Sequence, residues 1–410
     1  MRRVAVVFGG RSAEHEISVI SARSVIDALD PDRYEVLAIG VTKDGRWQLL
    51  PAGPPALSAG AAPGALPGVA PDPGAEISLD QEPGSQALVA ADGSRTRIDV
   101  VFPVMHGPYG EDGSIQGFLE MAGVPYVGAG VLASAVGMDK AVQKVLFAAA
   151  GLPGVPYDAV HERDWEEDPE AVEARAAHLG YPLFAKPAAL GSSIGIAKVE
   201  EASQLRGALE LAFRFGRKAV LERAATGARE LEVSVLGNDD PVASVAGEIV
   251  PRGHAFYDYE AKYLDEHGAE LIIPAEISPQ TLEEIQRLAV AAFRAIDGTG
   301  MARVDFFLMQ DGRLFLNEVN TIPGFTSISM YPRLWEASGV SFGELLDRLI
   351  DTVQVPVTGP AVAPADFARS RRLSVNEIYR RSAPGVVQIT TTSTVEVEPD
   401  PFLNPFGFPE

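Results

Sequence analysis

Short apolar runs separated by glycine-rich or polar turns recur along the chain. "VAVVF", 4–8, is a buried-type strand that ends in Gly9-Gly10, and a helix is predicted from about Ser12 or Ala13 to Leu29. "YEVLAIGVT" reads as a second strand, and "IDVVFPVMHG" as another that leads into a glycine loop and a helix at "PYGEDGSIQGFLEMAG". Strands alternating with helices, with loops at the strand carboxyl ends, predict an open α/β domain over residues 1–133. A helix is expected at 138–150, then strand, glycine loop and strand in "YPLFAKPAALGSSIGIAKV". "AVLERAA" and "RELEVSVLGND" read as strands, 251–270 as a polar loop, 279–297 as a helix and "SFGELLDRLIDTVQ" as the last helix of the core. Residues 51–75 are rich in Pro, Gly and Ala, the composition of an irregular insertion. Past Pro356 the character changes, to an alternating "VVQITTTSTVEVE" and a Pro-rich end.

The pattern is most informative at "RVDFFLMQDGRLFLNEVNTIPG", 303–324. Asp-Gly between two apolar runs predicts a tight β-hairpin. With Asp311 and Gly312 as the two loop residues, Asp305 faces Glu318 and Arg303 faces Asn320. Phe307, Met309, Leu314 and Leu316 then share the acid pair's face, while Val304, Phe306, Leu308, Phe315 and Val319 share the other. Both faces are mostly apolar, as in strands buried on both sides. Facing carboxylates, their Cβ atoms about 5 Å apart, repel, and burial raises the cost of leaving them unpaired. Two arrangements would relieve this. A cation such as Arg303 can neutralise the acids, or a divalent metal can bridge Asp305, Glu318 and Asn320. Oxygen donors from Asp, Glu and Asn suit hard Mg2+ better than zinc.

Composition narrows the class. The chain has 410 residues, 46% of them hydrophobic, which fits a globular protein of two to four domains. No apolar run approaches the roughly 18–20 residues of a membrane span, and the start is read as a first strand rather than a signal peptide. The absence of cysteine excludes disulfides and thiolate chemistry and fits a reducing cytoplasm. The net charge of −22, with no basic clustering, argues against a nucleic-acid surface. An anionic substrate would need a local positive pocket.

Several short stretches could build that pocket, and each has an ordinary alternative. "AKPAALGSSIG", 185–195, sets Lys186 at a strand end before a loop whose N–H groups and Ser192 and Ser193 hydroxyls could hold an anion; it could equally be a plain glycine hairpin. "MDK" adds Lys140 near a helix start. Glu222 in "LERA" could read an adenine edge or be a solvated charge. His106 follows a buried strand, where α/β ligand sites form, or is satisfied by carbonyls. Glu14 and Glu16 at a helix start could bind a ligand or only complement the helix dipole. "FYDYEAKYLDEHG", 256–268, is a candidate lid or a packed surface loop.

The order of these stretches is more specific than any one of them. "VFGGRSAEHEIS", "MHGPYGEDGSIQG", "MDK", "KPAALGSSIG", "YDYEAKY" and "RVDFF…LNEVNTIPGFTSIS" follow one another as in D-alanine–D-alanine ligases, and the chain resembles that family over about residues 2–354. The resemblance implies an α/β protein of the ATP-grasp fold with an N-terminal open α/β (preATP-grasp) domain. Its expected divisions are 1–133, carrying the first substrate site; 134–226, the central ATP-grasp domain; 227–357, with lid and metal site; and 358–410, an extension of unknown role. It implies ATP-dependent joining of two D-alanines through an acyl phosphate for peptidoglycan precursors, in a cytoplasmic homodimer that binds neither nucleic acid nor membrane. Two Mg2+ ions, with Mn2+ as a substitute, would sit on Asp305, Glu318 and Asn320 and clamp the ATP phosphates.

Further roles follow from the same resemblance. Lys140, Lys186, Lys262 and the Ser192–Ser193 loop match phosphate-contacting positions, and Glu222, Arg223 and Glu230 match nucleotide-binding ones. Arg303 and the backbone at Gly324 match oxyanion stabilisers. Glu14 matches the residue that holds the first D-alanine's ammonium, and His106 one near its carboxylate. Ser329 and Met330 match the site for the second carboxylate. Lys262-Tyr263 is the lid pair of D-alanine-selective members, and a Tyr263 hydroxyl could bond Glu14 and Ser192. The enzymatic alternative is a ligase making D-alanine–D-lactate or D-alanine–D-serine. The 51–75 insertion, the 358–410 tail and Arg223, where Lys is common, depart from the family pattern.

Overall fold

The computed structural model describes residues 1–51, 67–80, 82, 84–191, 194–251 and 269–353. The chain divides into Met1–Val357 and Thr358–Glu410, and the second unit lies outside the described residues.

The first sheet is centred on strand Arg2–Gly9. Tyr34–Val41 and Val100–Pro103 pair with it in parallel on either side, and Trp47–Leu50 adds an antiparallel edge. Parallel strands are covered on both faces, which is why "VAVVF" is a continuous apolar run; Val4 to Phe8 are fully buried. One face packs on helix His15–Ala28, the other on Leu79, Leu88, Leu119 and Tyr126. The helix side also receives Phe325, Tyr331, Trp335, Leu345 and Leu349. Helices Met330–Ala337 and Phe342–Asp351 therefore share a core with the N-terminal sheet, far away in sequence.

The second sheet is antiparallel, in the order Ala197–Val199, Leu183–Pro187, Lys218–Arg223, Tyr157–His161. It packs on helices Pro169–Leu179 and Leu205–Phe213 through Val172, Ala176, Leu209 and Ala212. The third sheet is also antiparallel: Ala269–Ile272, Val242–Pro251, Arg229–Leu236, Met301–Leu308, Leu314–Asn320. Helix Pro279–Ala295 covers one face with Ile285, Leu288, Ala292 and Phe293. Ser278 caps it by accepting from Thr281 N–H. No described helix is long and apolar enough to cross a membrane.

The acid hairpin forms, but its turn is one residue longer than the pattern predicts. Met309 N–H donates to Arg313 O (2.9 Å) and Gly312 N–H to Met309 O (3.0 Å), so Gln310, Asp311 and Gly312 make a three-residue loop. Gly312 sits at φ +85°, a left-handed position that glycine adopts without a Cβ clash. Phe306, Phe307 and Leu308 pair with Leu316, Phe315 and Leu314. An irregularity at Asn317 then restores the register, and Asp305 faces Glu318 and Arg303 faces Asn320 as expected. Between the turn and this bulge the faces are exchanged, because a one-residue shift flips every side chain. Leu314 and Leu316 turn into the core with Phe306 and Leu308, and Phe315 comes opposite Phe307. The hairpin has one buried face and one half-buried face, not two buried faces.

Candidate active site

A cleft of about 540 Å³ is lined from the second sheet by Lys186 and Glu222 and from the third by Glu230, Glu232, Arg303, Asp305 and Glu318. Lys140 reaches it from the start of helix Lys140–Ala149, whose first turn is capped by Asp139.

Glu222 is 3% exposed, so it is not the solvated charge of the ordinary reading. Lys186 Nζ lies 2.5 Å from its Oε2, and Lys144 Nζ 2.9 Å from its Oε1. Burial alone would push the carboxyl up, but the two ammonium groups outweigh it and bring Glu222 down to about 2. Lys144 also donates to Asn317 O at 3.3 Å, tying this cluster to the acid hairpin.

Each hairpin acid meets a different cation. Arg303 donates from Nε and a terminal nitrogen to both oxygens of Asp305, each at 2.7 Å, and its Nε lies 3.1 Å from Glu232 Oε2. Burial would lower the guanidinium's pKa, yet Asp305 and Glu232 raise it well above the usual value. Lys140 Nζ lies 3.1 Å from Glu318 and donates to Leu190 O at 3.0 Å. Burial opposes its charge, and Glu318, Glu222 and Glu111 more than offset that. Gln143 fixes the second strand by donating to Val319 O (3.1 Å) and accepting from Val319 N–H (2.9 Å). Asn320 Oδ1 accepts from Ile322 N–H at 3.0 Å.

The donor set suits a magnesium-type ion. Among the described residues no three His, Cys, Asp or Glu side chains form a closed metal cage. Two carboxylates and one amide oxygen instead fit an ion that keeps waters and phosphate oxygens as its remaining ligands.

Glu14 and His106 stand at the carboxyl ends of the parallel strands Arg2–Gly9 and Val100–Pro103, the usual ligand edge of such a sheet. Glu14 is 6% exposed and lies between two glycines: a Cβ on Gly107 would fall 2.5 Å from its Oε2, and one on Gly191 3.4 Å. The N-terminal helix start thus touches the turn that follows Lys186. His106 Nδ1 is 3.1 Å from Ile322 O, which can only accept, so Nδ1 carries a proton. Its Nε2 lies 3.0 Å from Ser21 Oγ, and Glu111 Oε1 is 3.5 Å from Nδ1. Burial lowers the imidazole's pKa, but Glu111 and Glu14 raise it overall.

Gly324 lies beside Ser329, whose hydroxyl accepts from Thr326 N–H at 3.1 Å. Ser329 precedes helix Met330–Ala337. The Met330 side chain is 5% exposed and packs on Ile249 and Leu334. Its N–H opens helix Met330–Ala337, where no intrahelical acceptor exists. Arg223 is exposed at the cleft rim, and its N–H donates to Pro156 O at 2.9 Å. Ser192, Ser193, Lys262, Tyr263, the candidate lid at 256–268 and residues 52–66 of the insertion lie outside the described residues.

The family models for "D-ala D-ala ligase N-terminus" and "D-ala D-ala ligase C-terminus" match residues 3–129 and 146–351. This chain belongs to the D-alanine–D-alanine ligase family. A D-alanine–D-alanine ligase of Thermoanaerobacter sp. (strain X514) is 49% identical over 351 residues, 85% of this chain and 96% of that protein. The solved D-alanine-D-alanine ligase of Coxiella burnetii is 35% identical with TM-score 0.71, covering 86% of this chain and 95% of its own. The VanG D-Ala:D-Ser ligase of Enterococcus faecalis is 34% identical with TM-score 0.75, covering 86% and 99%. The architecture described above is therefore the ATP-grasp fold of these ligases.

Three residues escaped the sequence reading. Lys144 stands four residues after Lys140, on the same helix face. Glu232 stands two after Glu230, on the same strand face. Those spacings were the available signals. Gln143 carried none.

Proposed function

We propose that this chain joins two D-alanines into D-alanyl-D-alanine with ATP as co-substrate, releasing ADP and phosphate for peptidoglycan precursor synthesis. The observation that carries the reading is the cleft itself. Lys140 pairs with Glu318 of the acid hairpin, Lys144 and Lys186 pair with Glu222 of the same cleft, and Glu14 lies by the cleft residue Gly191, in a chain of this ligase family.

The residues supply what the chemistry demands. Phosphate oxygens compete with Glu318 and Glu222 for Lys140 and Lys186, while Lys144 keeps Glu222 compensated. Glu222, Arg223 and Glu230 take the nucleoside end. Asp305, Glu318 and Asn320 would hold two Mg2+ ions, for which Mn2+ can substitute. Bound there, the metal would neutralise and orient the transferring phosphoryl oxygens. Glu14 holds the first D-alanine's ammonium, and His106 stands near its carboxylate. A carboxylate oxygen of that D-alanine attacks the γ-phosphorus as the bond to ADP breaks, giving an acyl phosphate. The second D-alanine's amine, having lost a proton, attacks the carbonyl carbon. Arg303 and the backbone near Gly324 stabilise the oxyanion until phosphate leaves with the C–O bond electrons. Ser329 and the Met330 N–H receive the second carboxylate.

Residues 1–133, 134–226 and 227–357 are read as the first-substrate, central and C-terminal domains of this machine, working in a cytoplasmic homodimer. The test is ADP release with D-alanine alone and with D-alanine plus equal D-serine or D-lactate, with product identification. D-alanine alone should support turnover. Predominant depsipeptide or D-alanyl-D-serine would overturn the assignment of the second substrate.

A further inference from the structure

We propose that Glu232 is a positioning residue: it retains the Arg303 guanidinium at the reaction centre when Asp305 is drawn to the nucleotide-bound cation. The inference rests on the reading above, in which Asp305 is a metal ligand and Arg303 an oxyanion donor.

Glu232 belongs to strand Arg229–Leu236 and is the Cα partner of Asp305, which is in turn the partner of Glu318. Three carboxylates thus run in line across three neighbouring strands, an order that like-charge repulsion disfavours. Glu232 is 5% exposed, and its strand neighbours Leu231 and Val233 are apolar and buried. An apolar side chain at 232 would avoid both the repulsion and the cost of burying a charge. The compensation is Arg303. Its single Nε–H is donated to Asp305 Oδ1 at 2.7 Å, while Glu232 Oε2 lies 3.1 Å from the same nitrogen. Asp305 holds the guanidinium by a bidentate hydrogen bond, and Glu232 holds it by charge from the adjoining strand.

A cation on Asp305 would compete with Arg303 for the two oxygens that the guanidinium now uses. The guanidinium would then need a second anchor to stay oriented. Among the described residues, Glu232 is the other carboxylate that forms an ion pair with it. Its Nε–H, released from Asp305, would have an acceptor already 3.1 Å away.

The test is Glu232→Gln, which removes charge but almost no volume. Expected is a drop in kcat of about tenfold or more, less than the roughly 10²–10³-fold cost of removing an oxyanion donor outright, with Kd for ADP and Mg2+ within about twofold of wild type. Affinity for a phosphinate mimic of the tetrahedral intermediate should fall with kcat. In an Arg303→Lys background the substitution should add little, because the two residues act as a unit. Glu232→Asp keeps the charge on a shorter arm and should recover part of kcat, which also covers the case of a poorly folded Gln variant. Equal losses in ADP and phosphinate affinity, full additivity with Arg303→Lys, or an Asp variant no better than Gln would each overturn the proposal. Failure of the underlying reading would look different: wild type itself would form no D-alanyl-D-alanine.

Discussion

Asp305 and Glu318 are Cα partners on neighbouring strands, yet their carboxylates are bound by different cations, Arg303 at 2.7 Å and Lys140 at 3.1 Å. The repulsion of the pair is thereby offset within the protein. On the proposed reading, an incoming dication would compete with both pairings and would loosen a guanidinium and an ammonium towards the substrate oxygens. On that reading the same two acids would hold the resting site together and release its positive charge when the nucleotide arrives.

Glu318→Gln tests that exchange. The change lessens the repulsion from Asp305 but also weakens the Lys140 pair, so the metal-free melting temperature should move little. Turnover should be abolished. Stabilisation by a non-hydrolysable ATP analogue with Mg2+ should be lost; for wild type this is about 2.7 kcal/mol at one hundred times Kd. Thermal melts with and without the ligand read it directly. Normal turnover in the variant would remove Glu318 from the metal site.

Lys144→Met tests the division of labour around Glu222. Without Lys144, the buried carboxylate depends on Lys186 alone, and Lys186 is held back from the phosphates. ATP affinity should fall roughly tenfold. Stability should drop by roughly 1–3 kcal/mol, the cost of removing one partner from a buried polar group. Nucleotide titration with a parallel urea melt separates the two effects. Unchanged ATP affinity with lost stability would make Lys144 purely structural.

The sequence was legible where one local pattern decided the answer. The parallel strand Arg2–Gly9 showed as an apolar run, and the facing of Asp305 and Glu318 followed from counting back from Asp-Gly. That count succeeded although the turn has three loop residues, because the bulge at Asn317 cancels the extra one. A bulge has no period, and the exchanged faces of 314–316 were therefore unreadable. Strand Val242–Pro251 and helices Pro169–Leu179 and Leu205–Phe213 also went unassigned. Glu222 was ambiguous for another reason: its meaning depends on Lys144 and Lys186, which reach it from a helix and a different strand. The motif at Met330 does not show where its side chain goes; packing on Ile249, from a distant strand, decides that.

Acid titration should reveal the same buried cluster. Glu222 has its pKa lowered to about 2 in the folded chain, against about 4.3 when unfolded. A depressed carboxyl stabilises the fold fully above the unfolded value, and the contribution is lost as pH falls through about 4 towards 2. The scale is on the order of 3 kcal/mol. Wild-type stability in urea should decline between pH 5 and pH 3, and Glu222→Gln should lack that part of the decline. Parallel curves for the two proteins would mean that Glu222 is not held ionised by its lysines.

Gly107→Ala should separate the amino-acid site from the nucleotide site. Gly107 has φ +75°, and a methyl group there would fall 2.5 Å from Glu14 Oε2. Strain at the positive φ should cost about 1 kcal/mol, and the methyl must also displace the carboxylate. Glu14 touches the Gly191 turn, so the displacement lands where the first D-alanine's ammonium is expected. The lysine–Glu222 cluster is built from other elements and should keep its geometry. The expected result is a rise of about tenfold or more in KM for the first D-alanine, a change of about 1.4 kcal/mol or more, with ADP affinity unchanged. Initial rates over a wide D-alanine range, with ADP titration alongside, measure both. A lowered melting temperature with an unchanged KM would show that Glu14 does not hold the first substrate.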